Sequence, residues 1–406
     1  MAAGTQPRLT SPISGALLSP DGPHVLRDAD GRRWPVLDGI PYLRTGREAL
    51  VEQALERLDA GDRAGALVTL LADQDDWWTG PAPDPADLAR LVVDADRLTL
   101  RDAMGLLGFG RVGDYFAHRW SDPTYLAGLA LIEAHRALET RSAFELACGI
   151  GHYGREFLSR GISYTGVDVV FAKLWLARHW VAGPEAQFVC FDAAAPWPLA
   201  EETFDLVLCQ DAFYFLEPKD EILGRLRGLT SSAGRLLVGH IHNREAENYS
   251  AGRAVTAAQL GTLFPDAMAY DDAELTRALI EADVPMPSKL DDLRHVDAFA
   301  VASSGAPRRL HAGFAIPPET APLRVNPLYR VTGVEQDSVV ASLEETVQEK
   351  AGQSPAALRI SFPSELYAAE YGPLATYPEW FVEPTNQASR ATAIRCRALV
   401  DLPERW

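Results

Sequence analysis

The stretch A-F-E-L-A-C-G-I-G-H-Y-G, residues 143–154, decides the fold. An apolar run carries the acidic Glu145 near its end. Gly149, Gly151 and Gly154 follow, and then Arg155-Glu156-Phe157-Leu158 reads as helix. A strand that enters a glycine turn and leaves as a helix is a nucleotide-sized binding device. The glycines let the backbone approach a ligand closely, and the helix start offers N–H groups without partners.

The spacing alone leaves the nucleotide open. G-x-G-x-x-G also fits the dinucleotide fingerprint, and Asp168 lies 19 residues after Gly149, where the ribose-binding acid of an NAD enzyme would sit. A tight turn with only a structural role is the third reading. Asp168 ends a second strand, Ser163-Tyr164-Thr165-Gly166-Val167-Asp168, and a carboxylate there can accept both hydroxyls of any ribose. Gln187-Phe188-Val189-Cys190-Phe191-Asp192 reads as a third strand. Pro196-Trp197-Pro198-Leu199 and Glu202-Thr203-Phe204-Asp205 precede a fourth, Leu206-Val207-Leu208-Cys209-Gln210, which continues into Asp211-Ala212-Phe213-Tyr214. Ser232-Ala233-Gly234-Arg235 leads into a fifth, Leu236-Leu237-Val238-Gly239.

This ordered series resembles the class I S-adenosylmethionine-dependent methyltransferases over roughly residues 140–304. The resemblance implies an α/β, Rossmann-like seven-stranded sheet with helices on both faces, and S-adenosylmethionine as cofactor. It implies that Glu145, Ala147, Gly149 and Gly151 line the methionine end and that Asp168 holds the ribose. Asp192 would meet the adenine amine, with Phe191 or Ala193 beside the ring, and Gln210 would close the site. Ala147 departs from the pattern, because the family usually has the first glycine of its turn there.

The N-terminal stretch carries a second resemblance. Leu9 to Leu17, Val25 to Arg33 and Trp34-Pro35-Val36-Leu37-Asp38-Gly39-Ile40-Pro41 look like the small zinc-ribbon module that accompanies or activates several methyltransferases. Ser11, Ser14, Arg27 and Asp30 stand at its four ligand positions, and serines with an arginine cannot replace thiolates on zinc. A metal-free β module is expected, with Arg27 and Asp30 available for a surface ion pair. It serves either as a packed segment or as a docking surface for a partner or second subunit.

Four parts follow. Residues 1–45 are the ribbon-like module, 46–139 a helical lid or substrate region, 140–304 the cofactor-binding domain, and 305–406 a C-terminal α+β extension. Glu48 to Leu58, Ala64 to Leu71, Pro85 to Ala95 and Tyr125 to Leu138 place apolar residues at helical spacing. Asp84 is the expected N-cap before Pro85, and Gly105 to Gly113 reads as a break. Trp77-Trp78 and Tyr115 to Trp120 are aromatic spots, more often core than ligand contacts. Val296 to Ser303 fits the last strand of the sheet. In the extension, Leu323 to Tyr329 and Ala357 to Pro363 read as strands and Val339 to Ala351 as helix. Dimerisation, a substrate wall and a lid are all open roles for it.

The fifth strand runs into His240-Ile241-His242. Strand carboxyl ends face the ligand crevice in open α/β sheets, and alternation puts both imidazoles on one face. Either histidine can serve as a general base, since its ordinary pKa lies near neutrality; the plainer role is a strand-end hydrogen bond. Asp211 and Tyr214 are comparable candidates. No metal is expected, because the two histidines have no third ligand nearby in sequence.

The net charge of −18, from 38 basic and 56 acidic residues, disfavours a nucleic-acid substrate, which needs lysine and arginine clusters. No uninterrupted apolar run is long enough for a membrane span, and residues 1–12 lack the pattern of a secretory signal. Cys148, Cys190, Cys209 and Cys396 have no C-x-x-C spacing and read as buried hydrophobes in a reducing cytoplasm. The expectation is methyl transfer to a small molecule, with O-methylation of a natural-product intermediate preferred. Protein or RNA modification and a non-catalytic cofactor scaffold are the alternatives.

Overall fold

The computed structural model describes residues 8–200, 202–246, 252–303 and 305–310, together with short pieces of the remainder up to 406. The chain opens with β1 Ser19–Pro20, β2 Val25–Arg27, β3 Arg33–Leu37 and β4 Ile40–Pro41. Six helices follow: α1 Glu48–Asp59, α2 Arg63–Leu71, α3 Pro85–Asp94, α4 Leu100–Leu106, α5 Arg111–His118 and α6 Pro123–His135. Next come β5 Ser142–Leu146, α7 His152–Leu158, β6 Ser163–Asp168, α8 Phe171–Leu176, β7 Gln187–Cys190, β8 Phe204–Gln210, α9 Lys219–Leu229 and β9 Thr230–His242. The last elements of the main sheet and its helices are α10 Ala257–Leu263, β10 Met268–Asp271, α11 Asp272–Glu281 and β11 Ala298–Ala302.

The central sheet has seven strands in the order β10-β11-β9-β8-β5-β6-β7. β5 runs parallel to both β6 and β8, and β6 parallel to β7. The chain moves outward from β5 through β6 to β7 and then returns to β8 on the other side of β5. The order therefore reverses between β5 and β8, and the crevice at such a switch point is where open α/β sheets bind ligands. β10 and β11 pair antiparallel at the far edge.

The residues explain this sheet. Phe144, Leu206, Val207 and Leu208 are fully buried. β5 and β8 are covered on both faces, so they read as continuous apolar runs. Each such side chain contributes roughly 1.5–3 kcal/mol on burial. Asp84 accepts the Ala86 N–H, and Pro85 opens α3, as its sequence requires.

The described residues group into two units. The first comprises Met1–Gly113, Arg136–Val238 and Glu404–Trp406, and the second Asp114–His135 and Gly239–Pro403. The helical stretch after residue 46 is thus divided: α1–α4 belong to the first unit, α6 to the second, and the boundary after Gly113 falls within α5. The break read at Gly105–Gly113 is shorter than expected: α4 runs to Leu106 and α5 starts at Arg111. In the second unit α6 packs against α11, and the His135 ring bonds the Tyr270 hydroxyl at 2.8 Å.

In the first unit β1–β4 form a four-stranded antiparallel sheet. It joins the edge of the main sheet: Tyr42 bridges to Cys190, and the Leu43 N–H donates to the Cys190 carbonyl at 2.7 Å. Arg27 pairs with Asp21 at 2.5 Å, not with Asp30. The registry of β1 on β2 brings Asp21 to Arg27, while the Asp30 N–H is turned inward onto Asp28. The Ser14 hydroxyl also donates to Asp28, at 3.1 Å, so a buried carboxylate gathers this corner. The Asp38 turn, left-handed at φ 50°, reaches α8 and the helical turn Ala177–Val181 after it: Asp38 accepts from the Trp175 indole at 2.6 Å and bonds His179 at 2.9 Å. Arg63 of α2 pairs with the same carboxylate.

Arg324–Val325, Tyr329–Val331 and Leu358–Ile360 are short strands. The helix expected at Val339–Ala351, the rest of the two expected C-terminal strands and Cys396 lie outside the described residues. Among the described residues no helix is long and apolar enough to cross a membrane.

Candidate cofactor site and a histidine–aspartate pair

The turn after β5 contains three left-handed residues, Ala147 at φ 56°, Gly149 at 55° and Gly151 at 76°. An alanine there is strained by about 1 kcal/mol, which is why glycine is usual. Gly154 serves packing: a Cβ on it would lie 2.4 Å from the buried Tyr164 ring, so α7 can approach β6 only without one. Tyr164 in turn donates its hydroxyl to Glu145 at 2.5 Å, which fixes that buried carboxylate at the end of β5.

Asp168 ends β6 and is 5% exposed. Its Oδ2 accepts the Gly149 N–H at 3.0 Å and its Oδ1 the Val170 N–H at 2.9 Å, so turn and carboxylate form one unit. An ionised carboxylate offers about four lone-pair sites, so these bonds still leave capacity for a diol. Lys173 lies 3.7 Å from Oδ1.

Asp192 follows β7 and accepts the Ala194 N–H at 2.9 Å. Phe191 is buried in the core against the Trp197 ring, 5.7 Å between centroids, and does not present an open face. Ala193 is held by its carbonyl, which accepts from Trp197 and Arg225. Gln210 ends β8 and is buried, and its Nε2 has no hydrogen-bond partner among the described residues. A buried amide donor without an acceptor costs roughly 1–3 kcal/mol, a cost that a bound acceptor would remove.

The structure brings Glu145, Ala147, Gly149, Gly151, Asp168 and Gln210 to the carboxyl ends of β5, β6 and β8, beside the switch point. A carboxylate for a ribose, a left-handed glycine turn and an orphan amide are a donor set that fits S-adenosylmethionine. Those same residues would hold it.

Asp211, at φ 52°, accepts the Tyr214 hydroxyl at 2.7 Å, so these two candidates engage each other. His240 and His242 lie together, their rings 4.8 Å apart and edge-to-face, as alternation along β9 requires. His240 is left-handed at φ 49°, an uncommon backbone for its residue type. Its Nδ1 sits 2.7 Å from Oδ2 of Asp272, the first residue of α11. The other Asp272 oxygen is buried without a hydrogen-bond partner among the described residues. Sequence reading missed Asp272. It lies 32 residues from His240 and carries no motif; only the pairing of β10 with β11 brings its helix into place.

Residues 144–238 match the family described as a methyltransferase domain. No curated protein matches the chain. Among solved structures, a TehB-like SAM-dependent methyltransferase from Corynebacterium glutamicum is similar at 20% identity, covering 44% of this chain and 84% of that one, with a TM-score of 0.31. Phosphoethanolamine N-methyltransferase 2 from Haemonchus contortus, in complex with S-adenosyl-L-methionine, is similar at 18%, covering 45% and 49%, with a TM-score of 0.35. A Thermotoga maritima methyltransferase, described as a possible histamine N-methyltransferase, is similar at 19%, covering 48% and 92%, with a TM-score of 0.32. Residues 144–238 are thus similar to a methyltransferase domain.

Proposed function

We propose that the protein methylates a hydroxyl group of a small molecule, with His240 as the general base. The observation that carries this is the 2.7 Å contact between His240 Nδ1 and Asp272. A carboxylate at Nδ1 fixes that nitrogen as the N–H donor and makes Nε2 the basic nitrogen. The pair then takes a proton from an alcohol or phenol while the carboxylate steadies the imidazolium. An amine acceptor needs no such base, so a built histidine–aspartate pair favours oxygen.

When bound, S-adenosylmethionine supplies a methyl group on a sulfonium, open to in-line displacement at carbon. The chain's own task is alignment and exclusion of water. Asp168 and the turn fix the cofactor, and Gln210 supplies a donor at the tip of β8. His242, Asp211 and Tyr214 rank behind His240 as proton acceptors, Tyr214 because its hydroxyl is already given to Asp211.

The same reading puts the protein in the cytoplasm, acting in natural-product biosynthesis, with no nucleic-acid or membrane partner and with a homodimer as its assembly. Three buried cysteines outside any disulfide support the compartment, and a net charge of −18 supports the lack of a nucleic-acid partner. It takes the N-terminal module as a ribbon relative that has exchanged zinc for a hydrogen-bonded Ser14–Asp28 corner. The test is transfer of radiolabelled methyl from S-adenosylmethionine to a panel of phenols, alcohols and amines. His240→Gln should lower kcat by roughly 10²–10⁴-fold on a hydroxyl acceptor with cofactor affinity unchanged. Turnover confined to amines, or indifferent to His240→Gln, would overturn the assignment.

A further inference from the structure

The segment 73–78 leaves α2 and crosses the switch point. At its start, buried Asp73 accepts from the Tyr42 hydroxyl at 2.6 Å, from Arg44 at 2.7 Å and from Arg47 at 3.1 Å. Arg44 also donates to the Gln74 carbonyl at 2.7 Å. The N-terminal module, itself continuous with the edge of the main sheet, thus grips the segment. Further on, Asp75 uses its two oxygens differently. Oδ1 accepts the Trp77 N–H at 2.9 Å and closes a turn, and Oδ2 lies 3.6 Å from Lys173. Lys173 lies 3.7 Å from Asp168, at the end of β6. The Trp77 ring then meets Phe215, beyond the end of β8, at 5.3 Å. The segment is therefore pinned beside β6 and again beside β8. Just before the first of these pins the Gln74 amide nitrogen is buried without a hydrogen-bond partner among the described residues.

We propose that Lys173 is a positioning residue for the ribose carboxylate Asp168, and that Asp75 holds Lys173 in place, so that segment 73–78 forms the second wall of the cofactor site. This rests on the reading of Asp168 as the ribose ligand. One ammonium serves two carboxylates. Lysine has a flexible four-carbon stem, and a second carboxylate restricts it to the position that orients Asp168. If the ammonium is removed, Asp75 and Asp168 face one gap with like charge, and the wall is pushed off the site. The N-terminal module gains a role without metal: it buttresses that wall.

The test is calorimetric titration of the full chain with S-adenosylhomocysteine, with circular dichroism to show that each variant is folded. Lys173→Gln should weaken binding about tenfold, the scale on which an opposite charge within a few ångströms acts on a carboxylate. Lys173→Arg should stay within about threefold of the unmodified protein. The deciding variant is Lys173→Gln combined with Asp75→Asn. It should bind about threefold better than Lys173→Gln alone, because the repulsion is gone. A structural role for Asp75 would make the double variant worse. Unchanged affinity in Lys173→Gln, or further loss in the double variant, overturns the proposal alone. No binding by the unmodified protein overturns the cofactor reading and the proposal with it.

Discussion

Replacing Asp38 by asparagine should destabilise the protein at neutral pH and lose its effect in acid. Burial by itself would push this carboxyl up, but the hydrogen bonds from His179 and Trp175, with the charge of Arg63, bring it from 3.8 down to about 2. Arg178 faces the same turn at Gly39. One pKa unit corresponds to about 1.4 kcal/mol, so the shift makes ionised Asp38 worth roughly 2 kcal/mol at pH 7. A carboxyl with a lowered folded-state pKa stabilises above its unfolded value, and the contribution fades as pH falls through the folded value. By the same relation about half of it remains at pH 3 and only a small part at pH 2. The asparagine variant keeps the shape and loses the charge. Urea unfolding of both proteins, followed by tryptophan fluorescence, gives the difference at each pH. The gap should be about 2 kcal/mol at pH 7 and should roughly halve by pH 3. A gap that stays constant between pH 7 and pH 3 would mean that the charge on Asp38 does nothing and that the turn is held by shape alone.

Gly154→Ala drives a methyl into the Tyr164 ring and should cost about 1–3 kcal/mol in urea unfolding, with loss of cofactor binding as Glu145 is displaced. Stability equal to that of the unmodified protein would show that α7 is not packed as described. Ala147→Gly relieves a left-handed alanine and should stabilise by about 0.5–1 kcal/mol, read as a higher urea midpoint at an unchanged slope. A lower midpoint would contradict it. Asp272→Asn should lower kcat about tenfold or more on a hydroxyl acceptor and move the acid limb of the pH–rate profile, with cofactor affinity untouched.

The cofactor side of the molecule was legible because each of its devices is local. Strand, glycine turn and helix follow one another within residues 143–158, and Asp168 and Gln210 simply end their strands. β9 was read too short, since its first half, Thr230 to Arg235, is polar and partly exposed. β10 has four residues at a sheet edge and too few alternations to stand out. α4 had a readable signal that went unused: Thr99 and Asp102 form a capping box. Asp272, Asp75 and Lys173 carry no motif at all. The Asp272–His240 and Asp75–Lys173 contacts join side chains 32 and 98 residues apart, which only the folded chain reveals.

In the proposed cofactor site, Asp168 and the turn after β5, joined by the Gly149 N–H bond, hold S-adenosylmethionine. The most direct measurement is calorimetric titration with S-adenosylhomocysteine, with NAD run in parallel, on the unmodified protein and on Asp168→Ala. S-adenosylhomocysteine should bind at micromolar Kd, NAD should not bind, and Asp168→Ala should abolish binding of the former. Binding of NAD instead, or S-adenosylhomocysteine affinity that survives Asp168→Ala, would contradict it.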